Sequence, residues 1–122
     1  MKIEVIDMKR NGIHLVKVEG RLDANFSSQL EDEIDRVLEQ KTKSIILDFS
    51  EVTYLSSSGL RVLLAINKET RADGGLVLIN LGDIVKRVLE VAELKDYLTQ
   101  AETVEEAMTI LEAQRRAKGA NS

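Results

Sequence analysis

The chain has 122 residues, 43% of them apolar, and a net charge of −4 from 17 basic and 21 acidic side chains. That is enough apolar material for one domain with one core, and the mild acidity argues against a nucleic-acid binder, which presents a basic face. No run approaches the roughly 18 apolar residues of a membrane span, and Met1 to Val5 lacks the apolar stretch of a secretion signal; with no cysteine to support disulfides or thiolate metal sites, a cytoplasmic protein is expected.

Ile3, Val5 and Ile6 suggest a first strand with imperfect alternation. Arg10-Asn11-Gly12 follows as a turn, because Asn-Gly tolerates positive φ. Ile13, Leu15, Val16 and Val18 make the second strand of an N-terminal hairpin. Gly20 to Asn25 leads into a helix that Asp23 or Asn25 can cap. Phe26, Leu30, Ile34, Val37 and Leu38 form one apolar stripe on it, and Glu31, Asp32, Asp35 and Glu39 occupy the opposite, solvated face.

Ile45-Ile46-Leu47 is a short continuous apolar run, as expected of a central strand covered on both faces. Asp48 to Leu55 reads as the loop after it. Ser56-Ser57-Ser58-Gly59-Leu60 then opens a helix toward Thr70, with Leu60, Leu63, Leu64 and Ala65 inward. Gly74-Gly75 is a helix-to-strand turn before the buried strand Leu76 to Ile79. Asn80 to Asp83 is a loop and cap, and Ile84, Val85, Val88 and Leu89 mark a short helix. Leu94 to Leu98 fits an irregular turn and edge strand. Thr103-Val104-Glu105-Glu106 resembles a capping box and starts a last helix. Its Arg115, Arg116 and Lys118 complement the helix dipole at the C-terminal end.

The order β-β-α-β-α-β-α-α implies right-handed parallel crossovers. The expected fold is α/β: a mixed, mostly parallel sheet of four to five strands with an N-terminal hairpin, and helices packed mainly on one face. Sites in such sheets form beyond the carboxyl ends of the strands. Here those segments are Gly20 to Asn25, Asp48 to Ser58 and Asn80 to Asp83, expected side by side.

Enzyme chemistry finds little to use. His14 is the only histidine, expected to be an exposed strand residue, so neither a triad nor a two-histidine metal site is available. Neither Gly-x-x-x-x-Gly-Lys-Ser nor Gly-x-Gly-x-x-Gly occurs. Asp23, Asp48 and Asp83 each fall in a rim loop and are read either as oxygen ligands for a cation or, preferentially, as local caps. Tyr54 and Phe49 cover the helix end or anchor a partner. No metal, cofactor or catalytic residue is expected. The three serines are a different matter: an N-cap accounts for one hydroxyl, and a helix N-terminus also stabilises a phosphate.

Leu47-Asp48-Phe49-Ser50, Tyr54-Leu55-Ser56-Ser57-Ser58-Gly59-Leu60-Arg61-Val62-Leu63 and Gly20-Arg21-Leu22-Asp23 together resemble the STAS-domain anti-sigma-factor antagonists of bacterial partner-switching pathways. The resemblance places the STAS domain at residues 1–115, with 116–122 as a flexible tail. It implies a phosphorylated loop serine at Ser57, with Ser56 or Ser58 as alternatives, and a partner surface of Asp23, Asp48, Ser56, Ser58 and Gly59. The position that is Asp in the family is Ser56 in this chain. The implied partners are an anti-sigma factor that is also a serine kinase, captured by the unmodified protein and released on phosphorylation, and a resetting phosphatase. The implied alternative is a constitutive interaction module of a scaffold or transport complex.

Overall fold

A computed structural model describes residues 2–40, 44–72 and 74–120. The elements are β1 (Lys2–Asp7), β2 (Ile13–Leu22), α1 (Ala24–Leu38), β3 (Ser44–Leu55), α2 (Ser57–Thr70), β4 (Gly75–Ile79), α3 (Asp83–Val91), β5 (Gln100–Ala101) and α4 (Val104–Ala120). They form one sheet in the order β1-β2-β3-β4-β5. β1 pairs antiparallel with β2, and every later pair is parallel. The hairpin turn is closed by Asn11 and Gly12 at φ 53° and 69°, as Asn-Gly allows.

The sheet order is monotonic from β2 to β5. Right-handed crossovers must then place α1, α2 and α3 on the same face. They do: Phe26, Leu30 and Ile34 of α1, Val62, Leu63 and Ile66 of α2, and Val85 and Leu89 of α3 share one core with Val16, Val18, Ile45, Leu47, Leu76 and Leu78. The alternate strand residues Ile13, Leu15, Ile46, Val77 and Ile79 face the other way, where α4 covers them with Ala107 and Leu111. α4 also clamps the hairpin turn. Arg10 pairs with Glu112 at 2.8 Å, and Arg115 donates to the Asn11 carbonyl at 2.9 Å. Residues 116–120, assigned to a tail from the sequence, continue α4; residues 121 and 122 of that tail lie outside the described residues.

Three expectations are corrected. His14 is buried, not exposed, because the first half of β2 is covered on both faces. It lies opposite Asp7 in the hairpin. The hydrogen bond from the Lys9 backbone N–H does most to hold the Asp7 carboxyl below the usual range, and the charge of His14 adds to it. The edge strand after α3 is Gln100–Ala101, just beyond Leu94 to Leu98, which forms the expected irregular turn but no strand.

The third correction matters most for the site. Asp48 to Leu55 is strand, not loop. β3 advances three residues while β2 advances two between Lys17 and Glu19, then two while β2 advances one between Gly20 and Arg21. Each step is a bulge that inserts one residue into β3. The two insertions convert a period of two into a period of three. Phe49, Val52 and Leu55 are therefore buried, with two exposed residues between each neighbouring pair after Phe49. The extension runs past the end of β4, and α3 packs against β3.

Candidate functional site

The site forms where β2 and β3 end together. Leu22 pairs with Leu55, and each chain then enters a helix. Asp23 caps α1, its Oδ1 accepting from the Phe26 N–H at 3.0 Å. Ser56 caps α2, its Oγ accepting from the Gly59 N–H at 3.1 Å. The Ser56 hydroxyl also donates to the Leu22 carbonyl at 2.6 Å, and the Ser56 N–H donates to the same oxygen at 3.0 Å. Ser56 thus fastens the start of α2 to the end of β2.

Gly59 completes that joint. A Cβ there would lie 3.2 Å from the Leu22 carbonyl oxygen, 3.3 Å from the Leu22 Cβ and 2.6 Å from the Leu55 Cδ1. The missing side chain lets the first turn of α2 seat directly on β2. Gly59 is buried.

The three serines therefore divide by role. Ser56 is half-buried and hydrogen-bonded on both sides; Ser57 is exposed; Ser58 is half-buried. Ser57 is the first helical residue. Among the described residues, the backbone N–H groups of Ser57 and Ser58 take no protein partner, the normal condition of a helix N-terminus. The exposed flank of this joint carries Arg21 and Tyr54, opposite each other in the ladder. The Arg21 guanidinium lies 4.3 Å from the centre of the Tyr54 ring, a cation–π contact.

The rim is not continuous. Asp48 lies opposite Lys17, five β2 residues before Leu22, which is about 17 Å of strand. Its Oδ1 accepts from the Ser50 N–H at 2.9 Å and from the Asn80 side-chain amide at 3.2 Å. Asp83 is the exposed first residue of α3, and Gly82 holds the cap position without a side-chain bond. The bulged extension of β3 is what separates these groups: Asp23 joins the serines, while Asp48 joins Asn80. Among the described residues no group of three or more His, Asp or Glu is placed to hold a metal ion. A cleft of about 530 Å³ lies at the carboxyl ends of β4 and β5, lined by Lys86, Glu102 and Glu106 among others. It includes none of the serines. The monotonic sheet order provides no reversal point at which a ligand crevice would form. Among the described residues no helix is long and apolar enough to cross a membrane.

The STAS domain family model matches residues 5–107, and this chain belongs to that family. It is 32% identical over 85 residues to BtrV of Bordetella bronchiseptica, to which an anti-sigma factor antagonist role is ascribed, covering 69% of this chain and 73% of BtrV. It is 26% identical over 99 residues to the anti-sigma-B factor antagonist of Staphylococcus aureus, covering 80% and 92% of the two chains. The solved structure of the anti-sigma factor antagonist SpoIIAA in its unphosphorylated form superposes with a TM-score of 0.75 at 24% identity, covering 92% of this chain and 97% of SpoIIAA. The phosphorylated form of the Bacillus protein superposes at 0.66, covering 88% and 97%. At that identity the likeness establishes the fold.

The sequence missed the Arg21–Tyr54 pair. Its only signal was an aromatic residue in a segment taken for loop.

Proposed function

We propose that this domain is an anti-sigma factor antagonist that acts in the cytoplasm by binding rather than by turnover. Unmodified, it captures an anti-sigma factor that is also an ATP-dependent serine kinase, and the sigma factor is freed. The kinase transfers the γ-phosphoryl group to Ser57: the Oγ–P bond forms, the bond to ADP breaks, and the hydroxyl proton passes to a base on the kinase. The complex then separates until a phosphatase removes the phosphate.

One observation carries this reading: of three adjacent hydroxyls, one is consumed as a structural cap and the next is exposed at the first residue of α2. The names of the relatives support the antagonist role, and SpoIIAA is known in unphosphorylated and phosphorylated forms. The physics of the switch is local. A phosphate adds about −1.5 to −2 charge and three acceptor oxygens. At a helix N-terminus that charge is tolerated, so the domain stays folded. A partner that covers the neutral serine must instead desolvate a dianion beside Asp23. A buried, unpaired charge costs about 2–5 kcal/mol, and a hundredfold loss of affinity needs only about 2.7 kcal/mol. Asp23 and Ser58 flank the partner surface in this reading. Asp48 takes part only if the partner's footprint spans the β3 extension.

Incubation with the cognate anti-sigma kinase and ATP, followed by mass mapping, tests the assignment. Phosphate should appear on Ser57, disappear in Ser57→Ala and persist in Ser58→Ala. Full incorporation into Ser57→Ala would overturn it.

A further inference from the structure

Along β2 the exposed alternate residues are Lys17, Glu19 and Arg21. Glu4 lies opposite Lys17 and Lys2 opposite Glu19 in the hairpin, so these charges face opposite ones. Arg21 is different. It lies beyond the described part of β1, and among the described residues its guanidinium has no carboxylate within ion-pair distance. Its contact is the Tyr54 ring. Of the acids near it, Asp23 is engaged as the α1 cap, and Glu19 and Glu51 lie two residues back along β2, where Glu19 faces Lys2 across the hairpin. An arginine has five N–H donors in a planar fork, and stacking on a ring occupies none of them.

This waiting cation stands beside the modifiable serine. Leu22, which follows Arg21, is hydrogen-bonded to Ser56, which precedes Ser57. Tyr54 and Ser57 are three residues apart, so their Cα atoms are separated by at most about 11 Å. An arginine and a phosphoserine together bridge such a gap.

We propose that Arg21 is the internal counter-ion of a phosphoryl group on Ser57, and that it leaves the Tyr54 ring to meet it. An exposed cation–π contact is weak. A fork of charge-assisted hydrogen bonds from guanidinium to phosphate is stronger. Phosphorylation thus changes two things on one surface: it adds a dianion, and it strips the cation from Tyr54. A partner that reads the neutral surface loses both the uncharged serine and the arginine-capped ring. The inference rests on Ser57 being the modified residue and deepens that reading.

The test does not depend on any kinase. Phosphoserine is installed at position 57 by codon reassignment. The chain has two tyrosines and no tryptophan, so Tyr97→Phe leaves Tyr54 as the sole fluorophore. Phosphoserine at 57 should move Tyr54 emission to the level of unmodified Arg21→Gln protein, and should change nothing further in Arg21→Gln itself. In a phosphorus NMR titration the second ionisation of the phosphate should lie about half a unit lower with Arg21 in place than in the Arg21→Gln variant, and Arg21→Lys should recover part of that shift. Both readouts must move. Unchanged Tyr54 emission, or a titration midpoint indifferent to Arg21→Gln, would overturn the proposal while leaving the phosphorylation of Ser57 to its own test.

Discussion

The Ser56 hydroxyl donates to the carbonyl oxygen of Leu22 across 2.6 Å. That bond joins the end of β2 to the start of α2, and it separates a structural serine from the exposed one that follows. It also gives the departure from the family's Asp a physical meaning. Asp and Ser are both good N-caps, but only a hydroxyl can donate to a carbonyl while accepting from the helix.

Ser56→Ala should therefore destabilise the fold by about 1–2 kcal/mol, from the lost cap and the lost bond. Ser57→Ala, at an exposed position, should stay within about 0.5 kcal/mol of wild type. Ser56→Asp should fall between them, keeping the cap and losing the Leu22 bond. Urea unfolding of the variants checks the ranking.

Gly59→Ala should cost about 1–3 kcal/mol through overpacking. The Leu55 methyl group can move aside, but the Leu22 carbonyl, 3.2 Å from the added Cβ, is backbone. Thermal unfolding compared with Gly82→Ala provides the control, since nothing lies within 4 Å of a Cβ at Gly82.

Asn80 stands at φ 58° and binds Asp48 through its side-chain amide. Asn80→Gly removes the hydrogen bond but keeps the left-handed backbone easy; Asn80→Ala removes both advantages. Asn80→Ala should be the less stable of the two by about 1 kcal/mol, as chemical denaturation would read it. Equal stabilities would mean that the backbone conformation there carries no cost.

The joint itself was legible in the sequence. Asp23 caps α1, as one of the two readings there held, and three serines ahead of an apolar helix marked the start of α2. Thr103 also caps as expected, accepting from the Glu106 N–H at 3.1 Å. The extension of β3 was not legible, because its two bulges replace alternation with the triplet spacing of Phe49, Val52 and Leu55. Triplet spacing is not the signature of a strand, and only the pairing with β2 explains it. For the same reason Asp48 was grouped with the serines, although strand length separates them. His14 alternates onto the same face of β2 as Val16 and Val18, which the core shared with α1, α2 and α3 covers, and that tertiary packing was not visible in the strand itself.

Glu69 on α2 has its carboxyl pKa raised, first by burial and then by Asp35 and Glu31 across on α1. The folded state thus binds that proton more tightly than the unfolded chain does. The resulting penalty is absent below the unfolded pKa, grows as pH rises toward the folded pKa, and is complete above it. Glu69→Gln should stabilise the protein at neutral pH by a few tenths of a kcal/mol, a small figure because the group is largely solvated. The gain should vanish near about pH 3, below the ordinary glutamate range. Melting temperatures of both proteins across that interval check the sign.

The most direct measurement is calorimetric titration of the cognate anti-sigma kinase with unmodified protein and with protein carrying phosphoserine at position 57. The account predicts tight binding of the first and at least about a hundredfold weaker binding of the second, equivalent to about 2.7 kcal/mol, with both proteins folded by circular dichroism. Equal affinities for the two folded forms would contradict it.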